Sequence, residues 1–467
     1  MTPVKGEATE TKLNTEQVDS AVIEIPEPES GSWLRLPRFA GVDVAKLSLI
    51  GFSVADQAFA VGGNFLANIA LARTQTKEDY GMFALCYSVF TFLAGLHNAA
   101  VLEPYTVYGS GRYRNNASEY LRLIARSNAV ACVILSGALL LGTWILSWSK
   151  PELAPRALIG LGLATGVMLS GIFLRRAFYV ERRADLAAKC SLTYFIVVIC
   201  GLAVGMYWQR LDSLTLFLLF ALGWLVAGTL FGSKLNFGKP VKSFPQIVPD
   251  YWREHWSYMK WILGSAFVFQ FTSQGYYWLV GGFLSAREVG ELRAMYNLIA
   301  PIEQVFIAMS YVVVPALAAH YASKRVGKFL LLWKKLALLT VAVTGAFALV
   351  VRAIGKPALH ILYAGRYDGL TEFVYILAFL PLVMWIGTSM AQALFAAEKP
   401  KYVFYAYVGG GIATFLGGVP LVMHYGLAGA IRGMFLSGAA YTAVLAAAFF
   451  WQFKVLPKRL AHTGFTT

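Results

Sequence analysis

The chain has 467 residues, of which 58% are hydrophobic and 14% charged, with a mean hydropathy of +0.58 and a formal net charge of +15. A soluble domain carries about 25% charged residues, so the composition excludes a soluble globular protein and leaves a polytopic membrane protein. The positive surplus reads as basic loops against anionic lipid, with no nucleic-acid partner implied.

Residues 1–32 form a polar, acidic tail with no apolar core of a signal peptide, which places the N-terminus in the cytoplasm. Residues 33–46 read as an interfacial segment, with Trp33 and Phe39 in the headgroups and Arg35 and Arg38 on phosphate. About twelve spans follow, at 47–72, 81–109, 121–147, 155–180, 189–208, 213–232, 259–284, 291–319, 332–352, 371–396, 402–422 and 426–452. The expected fold is therefore all-α, with two pseudo-symmetric six-helix bundles. A cytoplasmic tail (1–46) leads into an N-terminal lobe (47–232). A cytoplasmic linker (233–258) joins it to a C-terminal lobe (259–452), and a cytoplasmic tail (453–467) ends the chain. With this threading, 29 of the 40 Lys and Arg fall on the side of the termini and 11 on the other, so both termini lie inside by the positive-inside rule. Cys86, Cys132, Cys190 and Cys200 lie in apolar segments, and their spacing suggests neither a metal site nor a disulfide framework.

The second half opens like the first. T-K-E-D-Y-G-M-F-A-L-C-Y, between spans one and two, is echoed by S-A-R-E-V-G-E-L-R-A-M-Y between spans seven and eight. An acid stands two before glycine in each (Asp79 and Gly81; Glu288 and Gly290), a tyrosine six after (Tyr87; Tyr296), and a proline later (Pro104; Pro315). Six spans per half gives both halves the same orientation, which predicts an axis along the membrane normal with a substrate site between them. Glu78 and Asp79 read as helix-start residues, where carboxylates favour the helix N-terminus.

Polar residues at membrane depth concentrate in the paired hairpins. Span one carries Asp56, Gln57, Asn64 and Asn68; span two carries His97, Asn98 and Glu103. Span seven carries Gln270 and Gln274, with Tyr277 continuing their face; span eight carries Asn297, Glu303 and Gln304. Gln57, Asn64 and Asn68 fall on one helical stripe. Gly62 and Gly63 allow close helix approach beside it. Pro104 should bend span two and free a backbone carbonyl. Amides of this kind serve either as interhelical packing contacts or as cavity lining. The acids Asp56 and Glu303 are costly at this depth unless solvated, paired or titrating. His97 reads equally as a packing histidine and as a proton-coupling group. These twelve polar residues are the candidate substrate-cavity set. Arg122, Arg126, Arg175, Arg176 and Arg432 form a second set, because the guanidinium fork suits pyrophosphate or lipid headgroups.

The run A-D-Q-A-F-A-V-G-G-N-F-L-A-N-I-A-L-A-R, then E-D-Y-G-M-F-A-L, then L-H-N-A-A-V-L-E-P, resembles the start of bacterial polysaccharide-biosynthesis membrane proteins. These are the O-antigen and capsule flippases of the multidrug/oligosaccharidyl-lipid/polysaccharide (MOP) exporter superfamily. A-L-H-I-L-Y-A-G-R-Y-D-G before span ten is similar to that family's outer loop. The resemblance implies two six-helix bundles around a cavity, in the bacterial inner membrane, working by alternating access. It implies an undecaprenyl-pyrophosphate-linked oligosaccharide as cargo, no bound cofactor, and proton or sodium coupling as the source of drive. A polysaccharide polymerase and a chain-length regulator are the implied partners, besides membrane lipids. The family's cavity is described as cationic, whereas spans one, two, seven and eight here carry amides and acids in place of arginines.

Two other functions remain open at this point. A cation-coupled drug or metabolite antiporter of the same superfamily would use Asp56 or Glu303 as its coupled acid. A polysaccharide polymerase or lipid-sugar glycosyltransferase would need a large outer loop with catalytic acids, and the outer loops are short. There is no G-x-x-x-x-G-K-[ST] signature of an ATP site.

Overall fold

The structure is a computed structural model and describes residues 44–110, 113, 116–149, 156–237 and 248–455. In chain order the α-helices are α1 (Val44–Thr74), α2 (Lys77–His97), α3 (Glu103–Ser110), α4 (Ala117–Ser149), α5 (Arg156–Val180), α6 (Ala184–Tyr207) and α7 (Ser213–Phe231). Then come α8 (Val248–Phe283), α9 (Ala286–Ala322), α10 (Val326–Tyr363), α11 (Thr371–Leu377), α12 (Leu380–Ala396), α13 (Pro400–Ala413) and α14 (Val419–Phe450). A π-turn, Asn98–Leu102, joins α2 to α3, and another, Thr414–Gly418, joins α13 to α14. With these joins, and with α11 and α12 in line, the described residues make twelve rods, the last two separated at Gly426 (φ +57°) inside α14. The rods overlie the twelve expected spans. The acidic tail, most of the interfacial segment and the C-terminal tail fall outside the described residues, as does the middle of the linker. Helix α8 begins at Val248, so the second part of the expected linker is already helical.

Local chemistry sets the helix starts. Thr76 caps α2 by accepting from the Asp79 amide, with Glu78 and Asp79 in the first turn, as expected of that acidic pair. Asp212 caps α7 through the Thr215 amide, and Ser285 caps α9 through the Arg287 amide. Span two passes through the π-turn Asn98–Leu102 just before Pro104. Proline there has no N–H for the carbonyl of Ala100, and the π-turn absorbs the misfit. His255 on α8 supplies the missing donor, Nε2 to the Ala100 oxygen at 3.2 Å.

Eight helical stretches among the described residues are long and apolar enough to cross a membrane. One of these, Pro400–Phe453, contains the last two rods. The helices α1, α8 and α9 fall outside that set, and they carry the amide stripes. Helices α4 to α7 pack on one another in the first half, and α9, α10, α12, α13 and α14 in the second; α2 packs against both α8 and α9 and joins the halves. The largest apolar core spans both halves, and a second lies among α9, α10, α12, α13 and α14. One face of α4 turns Val130, Val133, Ile134, Leu141, Trp144, Ile145 and Trp148 outward, as a lipid-facing helix would. The fold is that of a multi-pass membrane protein.

Candidate functional site

The polar residues of the hairpins resolve into three groups. The first is built on Asp56, which is wholly buried. Arg175 on α5 grips it with both arms of its fork, Nε to Oδ1 at 2.9 Å and Nη2 to Oδ2 at 2.5 Å. Tyr179 donates to Oδ2 at 2.8 Å and Ser191 on α6 to Oδ1 at 2.5 Å. Four donors saturate the carboxylate, so the low-dielectric cost of its charge is offset in place. Gln57 stands beside it, exposed, and accepts from Arg175 at 3.2 Å. Further along α1, Asn64 accepts from Tyr194 on α6 at 2.7 Å. The close approach comes from Gly62 and Gly63, against the rings of Phe195 and Tyr194.

The second group sits at the bend of span two. His97 is buried and shares a 2.7 Å hydrogen bond with Asn128 on α4. Asn98 donates to Glu103 at 3.3 Å and accepts from Arg176 on α5 at 3.2 Å. Gln270 on α8 lies against α2 at Gly95, where a methyl group would stand 2.1 Å from its Nε2. Gln274, one turn on, is buried and donates to Ser273 at 3.2 Å.

The third group joins the halves, and its centre is a residue outside the expected set. Arg293 on α9 packs its guanidinium over the rings of Tyr87 (5.1 Å) and Tyr277 (5.9 Å). Its Nε donates to Asn68 Oδ1 at 3.3 Å, and Asn68 donates to the Asn64 carbonyl at 2.8 Å. The hydroxyl of Tyr277 is buried beside it. Asn297, one turn along α9, donates to Tyr80 at 3.0 Å and Tyr363 at 3.3 Å. Glu303 accepts from Tyr296, and Gln304 is exposed. The reading that span eight brings only amides and acids is thereby corrected: an arginine of that span occupies the junction. It extends the stripe of Asn297 and Gln304 by one turn, the signal in the sequence that points to it.

The remaining basic candidates are apart from these groups. Arg122 donates to the Phe237 carbonyl, Arg126 is exposed, and Arg432 lies exposed over Tyr425 at 5.1 Å. The charges therefore differ in kind. Arg175 is paired with Asp56. Among the described residues, neither Arg176 nor Arg293 forms an ion pair, and their partners are amides and aromatic faces. A cation held at membrane depth outside any ion pair favours the arrival of an anion. The two lie toward opposite ends of the rods, Arg176 four residues before the end of α5 and Arg293 in the second turn of α9.

Residues 70–372 match the sequence profile of a family described as polysaccharide biosynthesis protein. A search of curated proteins returned no match. Among solved structures, the chain is similar to a multidrug resistance MATE family transporter of the MOP superfamily in an inward-facing conformation, with a TM-score of 0.69 and 14% identity over 89% of this chain and 99% of that one. An outward-facing structure of a transporter described in the same words aligns with a TM-score of 0.61 and 11% identity, over 89% of this chain and 97% of that one. A MOP superfamily transporter from Pyrococcus furiosus, described as having a binding pocket of reverse polarity, aligns with a TM-score of 0.59 and 11% identity over 88% and 97%.

Proposed function

This chain belongs to the polysaccharide biosynthesis protein family, and we propose that it is a flippase for undecaprenyl-pyrophosphate-linked oligosaccharide repeat units. It carries them from the cytoplasmic to the outer leaflet of the bacterial inner membrane, by alternating access, for O-antigen, capsule or exopolysaccharide assembly. The observation that carries this reading is that, among the described residues, neither Arg176 nor Arg293 is taken up in an ion pair. A pyrophosphate diester presents anionic oxygens that a guanidinium fork binds by paired hydrogen bonds. With both termini cytoplasmic, as the bias of basic residues favours, Arg176 lies toward the inner leaflet and Arg293 toward the outer. The cargo's pyrophosphate passes from the first to the second. Gln57, which accepts from Arg175, and Gln304, three turns along α9 from Arg293, are exposed and offer amide donors and acceptors to sugar hydroxyls. Drive comes from a proton or sodium gradient, with Glu303 as the acid, or from consumption of the product by a polymerase and chain-length regulator.

The test is binding of undecaprenyl pyrophosphate by the purified protein in nanodiscs. Arg293→Ala and Arg176→Ala should each weaken it by about tenfold or more, the loss of one charge-assisted contact. Undiminished binding in both variants would overturn the reading. Saturable binding of an organic cation in its place would point to the antiporter.

A further inference from the structure

The two halves approach most closely at the end that carries the α1–α2 and α8–α9 turns, and they do so through the glycines of the internal repeat. A methyl group on Gly81 would stand 1.6 Å from the carbonyl oxygen of Ala286, and one on Gly290 would stand 2.6 Å from the carbonyl oxygen of Lys77. Each carbonyl belongs to the residue four before the opposite glycine, so the crossing of α2 and α9 is two-fold in its contacts. At the two glycines backbone lies on backbone, as close helix crossings on small residues allow, while Tyr80, Phe83, Val289 and Leu292 beside them are buried in the core that spans both halves.

Besides the Asn297–Tyr80 and Arg293–Asn68 hydrogen bonds, two partly exposed polar links cross the same seam. Lys77 Nζ lies 2.7 Å from Glu291 Oε1. Arg366, in the loop after α10, donates to the carbonyl of Arg73 at 2.9 Å and of Ala72 at 3.4 Å. Those carbonyls are in the last turn of α1, where no helical N–H follows to bond them. Both links are partly exposed, so water can replace each partner when they separate.

We propose that this seam is a releasable latch that closes the bundle at the end away from the termini. Gly81 and Gly290 form its seat, and Lys77–Glu291 and Arg366 on α1 are its catches. The inference depends on transport by rearrangement of the two halves and is independent of the cargo. It predicts that bridging the seam stops the cycle and that any side chain at either glycine holds this end open.

Two measurements test it, in a chain whose native cysteines have been replaced by serine. Lys77→Cys and Glu291→Cys, bridged by a short bis-methanethiosulfonate reagent, should abolish transport, and reduction should restore it. Transport that continues while the bridge is intact would overturn the latch. Separately, Ala84→Cys, buried on α2 one turn below Gly81, should be shielded from a membrane-impermeant maleimide added on the side opposite the termini. Adding Gly81→Ala or Gly290→Ala should speed its labelling by about tenfold as the open population rises. Unchanged labelling in both glycine variants would overturn the seat. The bridging result stands even if a glycine variant does not fold.

Discussion

Asp56 and Arg175 form a two-point ion pair, with Tyr179 and Ser191 filling the remaining acceptor positions of the carboxylate. The pair fastens α1 to α5 and α6. Removing one member leaves a buried charge without a partner, which costs about 3–5 kcal/mol. Asp56→Ala and Arg175→Ala should each lower the melting temperature in detergent sharply. The double variant should be more stable than the sum of the two losses allows. Additive losses would mean that the two side chains act separately.

Glu303 differs from Asp56 in having a single donor, Tyr296, and no ion pair among the described residues. Glu303→Gln can still accept from that hydroxyl but cannot lose a proton. If Glu303 couples transport to a proton gradient, the variant should fold normally and transport at a rate that no longer varies with the gradient. A gradient dependence equal to that of the unmodified protein would remove Glu303 from the drive.

The bend of span two makes a third prediction. His255 supplies the donor that Pro104 denies to the Ala100 carbonyl. His255→Ala should therefore destabilise the protein by about 1–3 kcal/mol, the cost of an unsatisfied buried carbonyl. In a Pro104→Ala background the helix regains its own donor, and His255→Ala should cost much less. Equal costs in the two backgrounds, read from thermal melts, would show that the histidine serves another purpose.

Much of this arrangement was legible in the chain. Periods of hydrophobicity and flanking charge located the rods, because a bilayer imposes length and apolarity on each one. The acid-x-glycine echo located the seam, where Gly81 and Gly290 proved to touch. Pro104 marked the place of the π-turn in span two. What the sequence did not disclose is which partner each polar group finds. Asp56 looked like a cavity acid, yet Arg175 from a helix 119 residues away saturates it. Arg293, near the start of span eight, stands outside the five basic candidates. Only the packing of α2 and α8 around it, with Tyr87 and Tyr277 as walls, makes it the cation at the junction.

The central claim is that the cargo is a lipid-linked oligosaccharide moved between leaflets. The most direct measurement is the leaflet in which undecaprenyl-linked repeat units accumulate, read with a membrane-impermeant lectin or glycosidase. It would be made in a strain lacking this protein and in the same strain carrying the Arg293→Ala variant. The account predicts complete units trapped on the cytoplasmic side in both, with release on return of the unmodified protein. Units exposed on the outer side but unpolymerised would contradict it and assign the defect to polymerisation.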